Sequence, residues 1–233
     1  MNYLIEGIAF ICCLIMLLIA VKQDLKKREV TDFLWIVFGA IGILVLIAKI
    51  LIEKIQIEIL LIPIIITILF IAIIYFLGKK SDLLFIGPAD LKAIIVIAFY
   101  FQGMFALNVF MLALLISLSM PIWILTNNLI KKENLPAKGI KGIALYITGY
   151  KKKITELNKF ESPLEKISFA KKEKRFFFLS PLIEPENENK RLKAMVKQGK
   201  IKNFVWATPL PAFMIFLLIS FVLMYIAILI KVI

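Results

Sequence analysis

Apolar residues in this chain gather into long runs separated by short, basic connections. Residues 3–21, 33–50, 57–77, 104–130 and 208–230 are runs of the length, roughly 17–25 residues, that a helix needs to cross the hydrocarbon of a bilayer. Residues 88–101 are equally apolar but fewer. They cross only if the helix starts near Gly87 and the bilayer is locally thin, or if neighbouring helices shield it. Gln102 and Gly103 break the pattern before the next run. The expectation is six membrane-spanning helices.

Charge tests that count, because Lys and Arg collect in cytoplasmic loops. With six spans, residues 22–32, residues 78–87 with the adjoining Lys92, and residues 131–205 share one side. They hold 26 of the 29 basic residues, leaving Lys49, Lys54 and Lys231 elsewhere. Merging 88–101 into the following run would move the most basic segment to the opposite side. Six spans with both termini outside and the basic loops in the cytoplasm therefore fit best. The N-terminal run lacks a basic leader and carries Glu6, so it reads as a retained first span and not a cleaved signal peptide.

Residues 131–205 form a separate, strongly basic insertion. Residues 142–150 and 175–179 have β-branched and aromatic content suited to strands. Residues 187–200 look helical, with Gly199 as terminator. The fold expected is an all-α polytopic membrane protein with a small mixed α/β cytoplasmic domain between helices 5 and 6. Its parts are residues 1–130, the basic domain at 131–205, and a last helix within 206–233.

Composition agrees. Of 233 residues, 61% are hydrophobic and the mean hydropathy is +0.93. Soluble domains sit nearer about 45–50% apolar, and one soluble core of this size cannot hide the excess. The net charge of +13 would suggest a nucleic-acid partner in a soluble protein. Here loop asymmetry accounts for it, so no nucleic acid is expected and the partner is the lipid bilayer. The chain has no histidine, which excludes Ser-His-Asp, Cys-His and HExxH chemistry. Its two cysteines, Cys12 and Cys13, are adjacent within an apolar run and form no metal or redox motif. No cofactor and no metal are expected.

Ionisable residues at membrane depth are expensive and are functional candidates for that reason. Asp24 falls just beyond the first apolar run. If the helix continues past Val21, Asp24 shares a face with Leu17, Ala20 and Val21. The alternative is an interfacial acid paired to Lys27 or Arg28. Asp90 follows Gly87, Pro88 and Ala89, where Gly87 makes a sharp entry and Pro88 suits the first helical position. The alternative there is an acid placed to complement a helix dipole. Six spans bring Asp24 and Asp90 to one membrane face at nearly one depth. Two carboxyls that meet share a proton near working pH, which is what an aspartyl protease uses. Near the helix C-terminus Asp24 is expected to hold the proton, and near a helix N-terminus Asp90 the charge. An ion- or proton-coupled transporter using buried carboxylates is the rival reading, and it would favour acids near the bilayer midplane.

The segment DLKKREVTD at 24–32 resembles the one that follows the first span of type IV prepilin peptidases. GPADLK at 87–92 resembles their GxGD motif followed by lysine, with Ala89 in place of the second glycine. The likeness is greatest to the archaeal preflagellin and prepilin peptidases, six-span relatives of the GxGD aspartyl intramembrane proteases. It implies an aspartic endopeptidase that removes the short basic leader, the class III signal peptide, from archaellin or pilin precursors at the cytoplasmic face. It implies Asp24 and Asp90 as catalytic residues, with Gly87 as a motif residue beside Pro88 and Ala89. Glu29, Asp32 and Asp82 could attract the basic leader, or could balance nearby Lys and Arg.

Overall fold

The structure is a computed structural model, described at residues 3–27, 29–53, 56–81, 87–135, 139–158, 160–166, 175–176, 185–201, 203–209 and 212–230. It divides into two compact units.

The first unit holds the apolar helices α1 (Tyr3–Lys27), α2 (Asp32–Glu53), α3 (Ile57–Ser81), α4 (Pro88–Phe101), α5 (Gly103–Ser117) and α9 (Phe213–Leu229). Acids open α2 at Asp32 and lysines close α1 at Lys26 and Lys27, each complementing its helix dipole. Short α4 lies at the centre, packed on α1, α2, α5 and α9. Eight of its 14 residues are buried, among them Asp90, Ile94, Ile97 and Tyr100. Around it the core closes with Met16 and Leu17 of α1, Phe110 of α5 and Phe221 of α9. Phe10 stacks on Phe221 and Tyr225, which joins α1 to α9. Outward positions are apolar too: Phe33, Ile36, Leu44, Leu51 and Phe76 are among the most exposed residues. A water-soluble unit would not present such a girdle, whereas lipid solvates it.

Four segments are long and apolar enough to cross a membrane, Leu4–Lys27, Asp32–Ile52, Ile57–Phe76 and Gly103–Ile130. The chain is a multi-pass membrane protein. α4, with 14 residues, and α9, with 17, are shorter. The run expected as one span at 104–130 is two helices, because Leu118 forms a turn between α5 and α6 (Ser119–Ile130). The last helix opens at Phe213, later than residue 208, because Thr208 and Pro209 belong to a strand.

The second unit holds α6, α7 (Ile140–Thr148), β1 (Tyr150–Lys152), a 3₁₀ turn (Ile154–Glu156), β2 (Glu161–Pro163), β3 (Glu165–Lys166), β4 (Arg175–Phe176), α8 (Pro185–Lys197) and β5 (Val205–Pro209). An antiparallel sheet runs β1-β5-β2, with Tyr150 opposite Ala207 and Ser162 opposite Thr208. β3 and β4 form a separate antiparallel pair. Successive residues of β5 serve opposite faces. Val205 and Ala207 pack with Ile154, Leu157 and Leu192, while Trp206 packs with Leu145, Tyr146 and Leu164.

Residues 142–148 are helical, against the strand expected there. Gly142, Leu145, Tyr146 and Gly149 are buried at the i, i+3, i+4, i+7 spacing of a helix face, and that period overrides local β propensity. Asn128 of α6 fastens the end of α7, donating from Nδ2 to the carbonyls of Tyr146 (2.8 Å) and Gly149 (2.7 Å). α8 ends as its sequence suggests. Gly199 takes φ +68° and the Lys200 N–H reaches back to the Met195 carbonyl at 3.0 Å.

A buried acid ties the sheet together. Glu161 accepts hydrogen bonds from the Tyr150 hydroxyl, from Lys152 Nζ at 2.7 and 2.9 Å, and from the Asn158 N–H at 3.0 Å. Burial alone would raise its pKa, but the Lys152, Tyr150 and Asn158 hydrogen bonds outweigh that and lower it. Burial and the same hydrogen bond raise the pKa of Tyr150.

Candidate active site

α1 does continue past its apolar run, through Lys27. Asp24 thus extends the stripe that buries Leu17 and Ala20 completely, and is itself half-buried. The turn into α2 is clasped by Gln23, whose Oε1 accepts from the Thr31 N–H (2.9 Å) and hydroxyl (3.2 Å). Thr31 in turn starts α2, accepting at its carbonyl from the Leu34 N–H at 3.1 Å.

Asp90 stands in the first turn of α4, with Pro88 at the helix start and Gly87 as N-cap. It is 7% exposed. Its Oδ2 accepts from the Gly87 N–H at 2.8 Å, satisfying a donor that the helix start leaves unpaired. Gly87 has φ −70° and ψ 154°, an extended conformation open to any residue. Conformational freedom is therefore not what this position asks of glycine. What the site uses is its missing side chain, since a Cβ there would lie 3.1 Å from Asp90 Oδ2.

α1 packs on α4, and Asp24 stands near enough that its charge acts on the Asp90 carboxyl. Two acids 66 residues apart in the sequence thus share one end of the bundle. Ala89, in the first turn of α4, is partly buried against the core.

The other acids behave differently. Asp32, 74% exposed at its side chain, pairs with Lys92 of α4 at 2.5 Å. That pair joins the last residue of DLKKREVTD to the last of GPADLK, a link the sequence did not suggest. It sits at the mouth of a groove of about 350 Å³ along the α2–α4 seam, lined by Trp35, Gly39, Val96 and Phe99 among others. Glu29 is exposed. Asp82 lies outside the described residues. Among the described residues no three His, Cys, Asp or Glu side chains come together as metal ligands would.

A third charged residue was passed over in the sequence. Lys49, which lies outside the basic connections, is buried within the bundle and donates to the Tyr100 carbonyl at 2.7 Å. Its signal was a lone lysine inside an otherwise apolar helix.

A multi-pass membrane protein with two interacting acids at one end of its helices is thereby defined. Comparison with protein families then narrows it. The type IV leader peptidase family matches residues 11–122, a stretch that includes both Asp24 and Asp90. The archaeal peptidase A24 C-terminus of type II matches residues 141–228. A search of curated proteins finds no match. The chain belongs to the type IV leader peptidase family, in its archaeal form. Membership implies a peptidase that cleaves the leader from prepilin-like precursors.

Proposed function

We propose that this protein is an aspartic endopeptidase that removes the basic leader of archaellin or pilin precursors at the cytoplasmic face, with Asp24 and Asp90 as its catalytic pair. The observation that carries the reading is the mutual approach of these two acids, one buried, at the ends of two helices within the matched family segment.

Two carboxyls that meet cannot both ionise cheaply, so such a pair keeps one proton. The Gly87 N–H and the start of α4 favour the anion on Asp90, while its burial works against it. Asp24, near the end of α1, holds the proton. Asp90 takes a proton from water as the water oxygen attacks the scissile carbonyl carbon. Asp24 donates to the carbonyl oxygen. Collapse of the tetrahedral centre passes a proton to the leaving amine, and the pair again holds one proton. This chemistry uses neither histidine nor a covalent acyl-enzyme.

The same reading has six spans, both termini outside and the basic segment 131–205 in the cytoplasm. Supporting it are the four helices of spanning length and the concentration of 26 of 29 basic residues in three connections. The precursor's apolar helix would then pack in the bilayer with its cleavage site at the acids. Glu29 and Asp82 are left to meet the basic leader, since Asp32 is engaged by Lys92.

The test is co-expression with a tagged precursor bearing a class III signal peptide, following precursor size. Wild type shortens it and Asp24→Ala and Asp90→Ala do not. Cleavage by Asp24→Ala at the wild-type rate removes that residue from the site.

A further inference from the structure

The buried charge that the reaction leaves unused is Lys49. It belongs to α2, is 5% exposed, and lies among residues whose outer neighbours face lipid. Such an ammonium is costly to bury unless protein groups replace its water. Here Nζ donates to the Tyr100 carbonyl oxygen at 2.7 Å and sits 5.6 Å from the centre of the Phe101 ring.

The partner is informative. At 1.5 Å per residue the 14 residues of α4 extend about 20 Å, against a hydrocarbon core of about 30 Å. A helix of that length starting at one bilayer surface would end short of the other, where its last carbonyls find no water. The Gln102 N–H takes the Ala98 carbonyl at 3.1 Å. Lys49 takes the Tyr100 carbonyl, and its charge also suits the negative end of the helix dipole.

The lysine reaches over from a neighbouring helix, so it couples the two as well as capping one. α2 and α4 are joined at one end by Asp32 and Lys92, then by the Tyr100 hydroxyl on the Phe38 carbonyl at 2.9 Å, then by Lys49 at the other end. Gly42 keeps the seam tight, for a Cβ there would lie 3.0 Å from Phe99 Cβ and from the Tyr100 ring. Asp90 is ten residues before Tyr100 on that helix.

We propose that Lys49 is a positioning residue which, by capping the Tyr100 carbonyl from α2, fixes the far end of α4 and so holds Asp90 at the depth and rotation that face Asp24. Its catalytic consequence rests on the peptidase reading; its effect on α4 does not.

The test uses the full-length protein in liposomes, with Cys12 and Cys13 replaced by alanine and a spin label at Ile95→Cys. Label depth is read from relaxation by oxygen and by a soluble nickel complex, alongside precursor cleavage. Lys49→Met keeps the stem but leaves the carbonyl unpaired. It should move or broaden the label's depth distribution and lower kcat roughly tenfold to a hundredfold, with KM for the precursor nearly unchanged. Lys49→Arg should restore both readings. Unchanged label depth in Lys49→Met, a rise in KM with kcat intact, or arginine as damaging as methionine would each overturn the proposal. If Lys49→Met does not assemble, Lys49→Leu, which likewise lacks a donor, takes its place under the same outcomes. If even the parent protein cleaves nothing while the label shifts with methionine and returns with arginine, the peptidase reading fails and the clamp stands.

Discussion

Gly87→Ala isolates what the first motif glycine contributes. Its φ of −70° and ψ of 154° suit alanine, so the backbone carries no strain from the change. Restricting the unfolded chain even favours alanine, by about 0.4–1 kcal/mol. The new methyl carbon, however, would lie 3.1 Å from Asp90 Oδ2, a few tenths of an ångström inside ordinary contact. The carboxylate is also held by the Gly87 N–H at 2.8 Å, so it cannot move away without stretching that bond. Hydrogen bonds to charged groups contribute about 1.5–3 kcal/mol, and forfeiting half of one gives about 1 kcal/mol. Misalignment of the attacking group adds to this, so kcat should fall roughly 5- to 30-fold. Thermal stability should stay level or fall slightly, since the two effects nearly cancel. The assay is leader cleavage in detergent or liposomes at saturating precursor, beside a melting curve of the same preparation. If Gly87→Ala keeps kcat within about twofold of wild type, space beside Asp90 is not why glycine stands there, and the crowding argument fails.

Two further outcomes are expected. In infrared difference spectra the protonated-carboxyl band should vanish in Asp24→Asn and persist in Asp90→Asn; the reverse would put the proton on Asp90 and exchange their roles. In the second unit the lowered pKa of Glu161 links stability to pH. Its contribution is complete above the ordinary glutamate value of about 4.5 and is lost as pH falls through the lowered folded value. Wild type should therefore lose its advantage over Glu161→Gln on acidification below that range. An advantage that does not change with pH would mean that Glu161 acts only through shape.

How much of this was legible beforehand depended on whether a signal was local. Long apolar runs announce helices in lipid because an unbroken backbone ladder is the only open-chain solution there. Asp24 and Asp90 announced themselves as acids where acids are expensive. Residues 142–148 misled because isoleucine and tyrosine suit strands, while the burial that decided the matter came from Leu164 and Trp206, distant in sequence. Leu118 gives no warning of a turn, being as apolar as its neighbours. Lys92 with Asp32, and Lys49 with Tyr100, are pairings across 60 and 51 residues that no spacing rule could supply.

Those pairings change how the two motifs should be understood. Taken separately, DLKKREVTD is a basic segment with three acids and GPADLK is a helix start. In the folded unit each contributes one residue to the proposed catalytic pair, Asp24 and Asp90, and one to an ion pair, Asp32 holding Lys92. The ion pair is exposed and adds at most about 1 kcal/mol, too little to explain itself as stabilisation. Its geometric effect is larger. It fastens the start of α2 to the first turns of α4, while the Gln23 clasp on Thr31 fastens the start of α2 to the end of α1. α2 is thus a splint between the two helix ends that carry the acids. Lys92→Ala should accordingly leave the melting temperature almost unmoved yet lower kcat, and Asp32→Ala should do the same. The double variant should be no worse than either alone, because both remove one fastening. Losses that multiply in the double variant would show that Asp32 and Lys92 act separately, as leader contacts would, and would dissolve the splint.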